Sequence, residues 1–169
     1  MRITIIGQPC SGKSTLARAI AERFRIPHIH IDRFWFEAGG RRGAYDTPNI
    51  EQVRTHIRKK VLEATQSESW VSDGFYSRIQ PEIAKRADMI VFLDIPLLKR
   101  LCNHSSRLLH RAGRHSELSL RDDLRFFLEI IKRNFTKVSK LEKFLEGHRG
   151  KIITLSSRKE IDSFLHNLG

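Results

Sequence analysis

Gly7-Gln8-Pro9-Cys10-Ser11-Gly12-Lys13-Ser14 decides how the chain is read, because of what stands on either side of it. Before it runs Arg2-Ile3-Thr4-Ile5-Ile6, a short β-branched stretch of the kind a buried parallel strand shows. After it the apolar period changes, and Leu16, Ile20 and Phe24, with Ala17 and Ala21 between them, share one face of a helix. The octapeptide fits Gly-x-x-x-x-Gly-Lys-Ser/Thr between a strand and a helix, the setting in which a glycine loop turns its backbone N–H groups inward around phosphates. The helix N-terminus adds the positive end of its dipole. Lys13 is expected to reach the β- and γ-phosphates of ATP or a related nucleoside triphosphate, and the Ser14 hydroxyl to ligate Mg2+. Gly7, Pro9, Cys10, Ser11, Gly12, Lys13, Ser14 and the next residue, Thr15, are therefore the expected nucleotide contacts.

Outward from this loop a βα rhythm runs the whole length. His28 to Ile31 reads as a strand stopping at Asp32, Ser69 to Ser72 as one ending at Asp73-Gly74, Met89 to Leu93 as one ending at Asp94, and Lys151 to Leu155 as the last. A helix is expected over roughly 48 to 66, where Val53, Ile57 and Val61 keep helical spacing behind Thr47-Pro48. A long amphipathic helix, or two with a break, is expected from Leu120 to about Leu145, and Ile161, Phe164, Leu165 and Leu168 give a closing helix. Strands alternating with helices imply an α/β fold, a five-stranded parallel sheet between two helical layers, in a single domain over 1–169. Glu37 to Asp46 and Ser105 to Ser119 resist this reading. Both are polar, and each reads either as a surface loop or as a flap over a site, an acceptor flap over about 33–47 and a lid over about 105–119.

Composition narrows the class. The 169 residues are 40% apolar, enough for one core, and no apolar run approaches the length that spans a bilayer, so a soluble, cytoplasmic chain without a membrane partner is expected. Cys10 and Cys102 lie far apart without metal-ligand spacing and read as reduced thiols. Cys10 is either a small loop residue or, if its thiol is acidified, an oxidisable one. The net charge of +12 attracts polyanions but does not separate nucleotide from nucleic acid, and oligomeric state has no signature here.

In an open α/β sheet ligands lie beyond the carboxyl ends of the strands, which puts Asp32, Asp73 and Asp94 on the rim that holds the loop. One aspartate there can hold magnesium or its waters and another can take a proton from an attacking hydroxyl; the alternative for each is a cap or turn residue. His28 and His30 alternate with isoleucines and so share a strand face. With no third ligand near them in sequence, packing is the expected role and paired metal ligation the alternative. Phe34 and Trp35 either stack on an acceptor or cover the sheet edge.

Asp73-Gly74-Phe75-Tyr76-Ser77-Arg78 resembles the Asp-Gly-Phe-Pro-Arg segment of adenylate kinases, with Tyr76-Ser77 in place of the single proline. Together with the glycine loop, His28 to Asp32, Phe34-Trp35, Val91 to Pro96 and Leu155-Ser156-Ser157, nearly the whole chain resembles the adenylate-kinase-like P-loop proteins labelled DNA topology modulation proteins. The resemblance implies the fold of nucleoside monophosphate, shikimate and gluconate kinases. It implies that Asp73 helps place Mg2+, that Arg78 contacts the acceptor or the transferring phosphate, and that Asp32 touches the acceptor hydroxyl as base. Arg107, Arg111 and Arg114 fall where such kinases carry lid arginines that neutralise charge developing on the γ-phosphate. Ser156 and Ser157 fall where relatives pack backbone against adenine, although a helix cap explains them equally. The two-residue replacement shifts the register of Arg78, and Gly39-Gly40-Arg41-Arg42 lengthens the segment after Trp35, so the resemblance leaves the acceptor open.

Two functions follow. The first is an ATP- and Mg2+-dependent kinase for a small-molecule phosphate acceptor such as a nucleoside or nucleotide. The second is a nucleic-acid-associated ATP-binding protein whose basic helix, with Arg125, Lys132, Arg133, Lys137, Lys140 and Lys143, rests on phosphate backbone.

Overall fold

A computed structural model describes residues 1–40, 47–112, 128, 131 and 138–168, with the side chains of 107–112 and 138–139 outside that description. Five strands form one sheet: β1 (Arg2–Gly7), β2 (His28–His30), β3 (Trp70–Asp73), β4 (Met89–Leu93) and β5 (Ile152–Leu155), in the order β2-β3-β1-β4-β5. Every pairing is parallel. Among the described residues seven helices accompany them: α1 (Lys13–Phe24), α2 (Ile31–Glu37), α3 (Ile50–Ala64), α4 (Gln80–Arg86), α5 (Leu97–Ala112), α6 (Val138–Glu146) and α7 (Arg158–Asn167). None of them is long and apolar enough to cross a membrane.

The period of two along β1 divides its side chains between layers. Ile3 and Ile5 pack with Leu16, Ala17 and Ile20 of α1, and Ile161, Phe164 and Leu165 of α7 close over the same cluster. On the other face Ile6 meets Ala84, Ile90, Leu141 and Phe144, from α4, β4 and α6. Val53, Ile57 and Val61 of α3 join Trp35, Trp70 and Ile83 in a third cluster beyond β2. The opposite face of β1 also buries Thr4, whose hydroxyl accepts hydrogen bonds from Ser72 Oγ (3.0 Å) and Gln80 Nε2 (3.1 Å), so the polar atom is satisfied across two elements.

All five strands and the helix over 50–64 fall within two residues of their expected bounds, with β2 one residue shorter than expected. It ends at His30, and Ile31 begins α2, so Asp32 stands in the first turn of a helix, where the dipole favours a carboxylate. Trp35 lies in the core, 7% exposed, which favours covering the sheet edge over stacking on a ligand. Ser105 to Ala112 continues α5, so the expected lid begins on a helix. Arg41 to Asp46 of the expected flap, Gly113 to Ser119 of the expected lid, and Leu120 to Lys137 of the expected long helix, apart from residues 128 and 131, lie outside the described residues.

Candidate active site

Sheet register builds the site. Gly7, the last residue of β1, is paired with Leu93, and Asp73, the last residue of β3, is paired with both Ile5 and His30. The carboxyl ends of β1, β2 and β3 therefore meet at one rim. At Gly7 (φ +151°) a Cβ would stand 2.6 Å from the Leu93 carbonyl oxygen, so a side chain there collides with the backbone of β4. Gly12 (φ +97°) opens α1 in a left-handed conformation that a glycine adopts without strain. No side chain caps α1, which leaves its first N–H groups for a ligand or water.

The loop between these glycines is braced from outside. Cys10, buried at φ +61°, offers its carbonyl to Asn103 Nδ2 of α5 at 3.0 Å. A turn earlier on α5, the buried Arg100 donates from Nε to the Ile95 carbonyl at 3.0 Å, and its burial holds the guanidinium pKa below the usual value. Lys13 Nζ donates to the Gln8 carbonyl at 2.8 Å, curling its ammonium over the loop.

Asp73 is the electrostatic centre, 1% exposed as a residue. Ser14 Oγ donates to its Oδ2. His28 Nε2 and His30 Nδ1 both face its Oδ1, at 2.8 and 2.9 Å. Burial pushes the carboxyl pKa up, but the hydrogen bonds from His28, His30 and Ser14 outweigh it and hold Asp73 well below the ordinary carboxylate range. In return the hydrogen bond to Asp73 raises the pKa of His30 against its partial burial. Beside this cluster, Asp32 Oδ1 accepts a hydrogen bond from Tyr76 OH at 2.9 Å. A loop of backbone donors, an ammonium, a hydroxyl and an anchored carboxylate can together hold an anionic chain with a cation.

A five-stranded parallel sheet ordered 2-3-1-4-5, with a glycine loop leaving its central strand, has counterparts among solved structures. The shikimate kinase of Bacteroides thetaiotaomicron superposes with a TM-score of 0.57 at 22% identity, over 99% of this chain and 95% of that one. The chain shares the fold of that protein. The shikimate kinase of Aquifex aeolicus gives a TM-score of 0.54 at 18% identity (99% and 93% covered), and a Thermus thermophilus protein gives 0.57 at 17% (100% and 98%). No protein-family model matches the chain.

Within this fold the expected residues divide. Ser14 and Asp73 come together, with Lys13 beginning the helix beside them and Asp32 following β2 at the same rim. Arg78 does not join them: it is exposed and pairs with Glu51 of α3 at 3.1 Å. Asp94 is exposed at the end of β4, its N–H bonded to the Leu155 carbonyl at 3.0 Å. Ser156 and Ser157 form a capping box with Glu160, in which Ser156 N–H donates to Glu160 Oε2 (2.8 Å) and Ser157 Oγ accepts from Glu160 N–H (3.2 Å). Arg107 and Arg111 lie on α5 with side chains outside the described set, and Arg114, Arg125, Lys132, Arg133 and Lys137 lie outside the described residues altogether. Lys140 and Lys143 are exposed on α6.

Packing was the expected role of the two histidines; instead they meet Asp73 and are only partly buried (side chains 24% and 39% exposed). Their shared strand face was the available signal; the third partner, on a neighbouring strand, had none. Tyr76, Arg100 and Asn103 were missed. Nothing in a lone tyrosine, or in the basic run around Lys99, marks them in advance.

Proposed function

We propose that the chain is an ATP- and Mg2+-dependent phosphotransferase that moves the γ-phosphoryl group to a small-molecule acceptor. The observation that supports this most is the hydrogen bond from Ser14, the last residue of the glycine loop, to the buried anionic Asp73. Hydroxyl and carboxylate are hard oxygen donors, the set that suits Mg2+, so Ser14 and Asp73 would hold the ion. When bound, Mg2+ offsets charge on the phosphates. Gly7, Pro9, Cys10, Ser11, Gly12, Lys13 and Thr15 bind and orient the triphosphate through backbone donors and one ammonium.

Asp32 takes the proton from the acceptor hydroxyl as its oxygen attacks the γ-phosphorus. The bond to the bridging oxygen breaks and ADP leaves. The hydrogen bond from Tyr76 OH keeps one Asp32 oxygen engaged and so orients the other. Arg78 serves the acceptor or the transferring phosphate once it leaves Glu51, and Arg107 and Arg111 supply lid cations as the site closes. Ser156 lies at the adenine side. The acceptor class is a nucleoside, nucleotide or hydroxy acid. ADP release from ATP and Mg2+, screened against pools of these, tests the reading: one pool must stimulate, and stimulation by DNA or RNA alone would favour a nucleic-acid-associated ATPase instead.

A further inference from the structure

Two imidazoles aimed at a single carboxylate oxygen are more than an oriented carboxylate requires. Asp73 already has Ser14 on Oδ2, yet both His28 Nε2 and His30 Nδ1 converge on Oδ1, and the three ligand atoms lie within 4.8 Å of one another. Among the described residues no other trio of His, Cys, Asp or Glu ligand atoms converges in this way. Alternate positions on β2 put the two rings on one side of the strand, and parallel pairing of β2 with β3 brings Asp73 opposite His30, so the geometry rests on the sheet and not on a loop. The rings are partly open to solvent and the carboxylate is buried, which gives an ion a way in and a fixed negative anchor.

We propose that His28, His30 and Asp73 form a binding site for a nitrogen-preferring divalent metal of the zinc type, distinct from the oxygen-lined Mg2+ position at Ser14. Imidazole nitrogen suits zinc and its neighbours, whereas magnesium takes oxygen and keeps its waters. With zinc–nitrogen bonds of roughly 2.0–2.1 Å, ligand atoms around one ion stand roughly 3.3 Å apart, so each imidazole nitrogen draws back slightly from Oδ1 to admit the ion, which replaces the two imidazole protons now directed at that oxygen. The two oxygens of Asp73 then face in two directions, one to this metal and one to Ser14. The metal fixes the carboxylate on which the proposed Mg2+ position depends, and water completes its coordination.

The site goes beyond the kinase reading and is tested without nucleotide, so its outcome does not depend on whether transfer is found. Chelator-stripped protein is titrated with Zn2+ against a chromophoric zinc indicator, in excess Mg2+. The wild type should hold one equivalent. His28→Gln and His30→Asn each place an amide N–H where the imidazole nitrogen faces Asp73 but lose the imidazole ligand, and each should weaken binding on the order of 10-fold or more. His56→Gln, at an exposed position on α3, should change nothing. Co2+ added to the wild type provides a readout that needs no variant: intense visible bands of a low-coordinate, nitrogen-ligated ion are expected. No stoichiometric zinc, wild-type affinity in the His28 and His30 variants, or the weak spectrum of aqueous Co2+ would each overturn the site.

Discussion

At Asp73 three donors converge on a carboxylate that the sheet has taken out of water, and this fixes the sign of the pH response. Its folded pKa is depressed, so its contribution to stability is present above the ordinary value of 3.8 and is lost as pH falls towards the folded value. His30 works the other way. Its folded pKa is raised, so its contribution is full below the ordinary 6.5 and is lost as pH rises through the folded value. In chelator, denaturant midpoints should fall on both sides of a maximum between these limits; Asp73→Asn should flatten the acid limb and His30→Gln the limb above neutrality. Lys13→Ala should cut transfer roughly 100-fold or more by removing a phosphate cation. Asp32→Asn should leave ATP binding intact and slow transfer by a similar order, as loss of a general base does. Unchanged turnover in both variants, measured as ADP release, would remove these residues from the site.

The elements show which parts of the fold are legible in sequence. The loop from Gly7 to Ser14 was readable because its chemistry is local: glycines, a cation and a hydroxyl at fixed spacing between a strand and a helix. α3 was readable because Val53, Ile57 and Val61 recur every four residues along one face. α2 and α4 span seven residues each, too short for a period to show, and α4 is announced only by Pro81 near its start. The meeting of His28 with Asp73 joins residues 45 apart through a crossover, and nothing in β2 says which strand will lie beside it. Gly7→Ala should destabilise the protein by about 1–3 kcal/mol and distort the loop, because its Cβ meets the Leu93 carbonyl at 2.6 Å. Ile57→Ala, fully buried on α3, should cost about 2–5 kcal/mol while leaving the loop's geometry untouched. Chemical denaturation of both, with nucleotide titration of each, separates the effects: Ile57→Ala binding ATP normally when folded, Gly7→Ala not.

Over the whole molecule, the sheet order 2-3-1-4-5 brings the carboxyl ends of three strands together, and in the proposed reaction the loops after them choose the acceptor. That separation explains why the glycine loop between β1 and α1 was legible in sequence, whereas the residues gathered at the rim were not. A glycine loop has few solutions, whereas an acceptor pocket is assembled from distant segments with no common spacing. The net charge of +12 draws any polyanion, so binding to DNA by itself would report charge and should fall steeply with salt, whereas acceptor-stimulated turnover should survive moderate salt. The measurement that bears most directly on the central claim is therefore ADP release from ATP and Mg2+ at moderate salt, screened against pooled nucleosides, nucleoside monophosphates and hydroxy acids, with Lys13→Ala as the blank. Stimulation by one pool, absent from the blank, is the predicted result; no stimulation by any pool, or stimulation by nucleic acid alone, would contradict it.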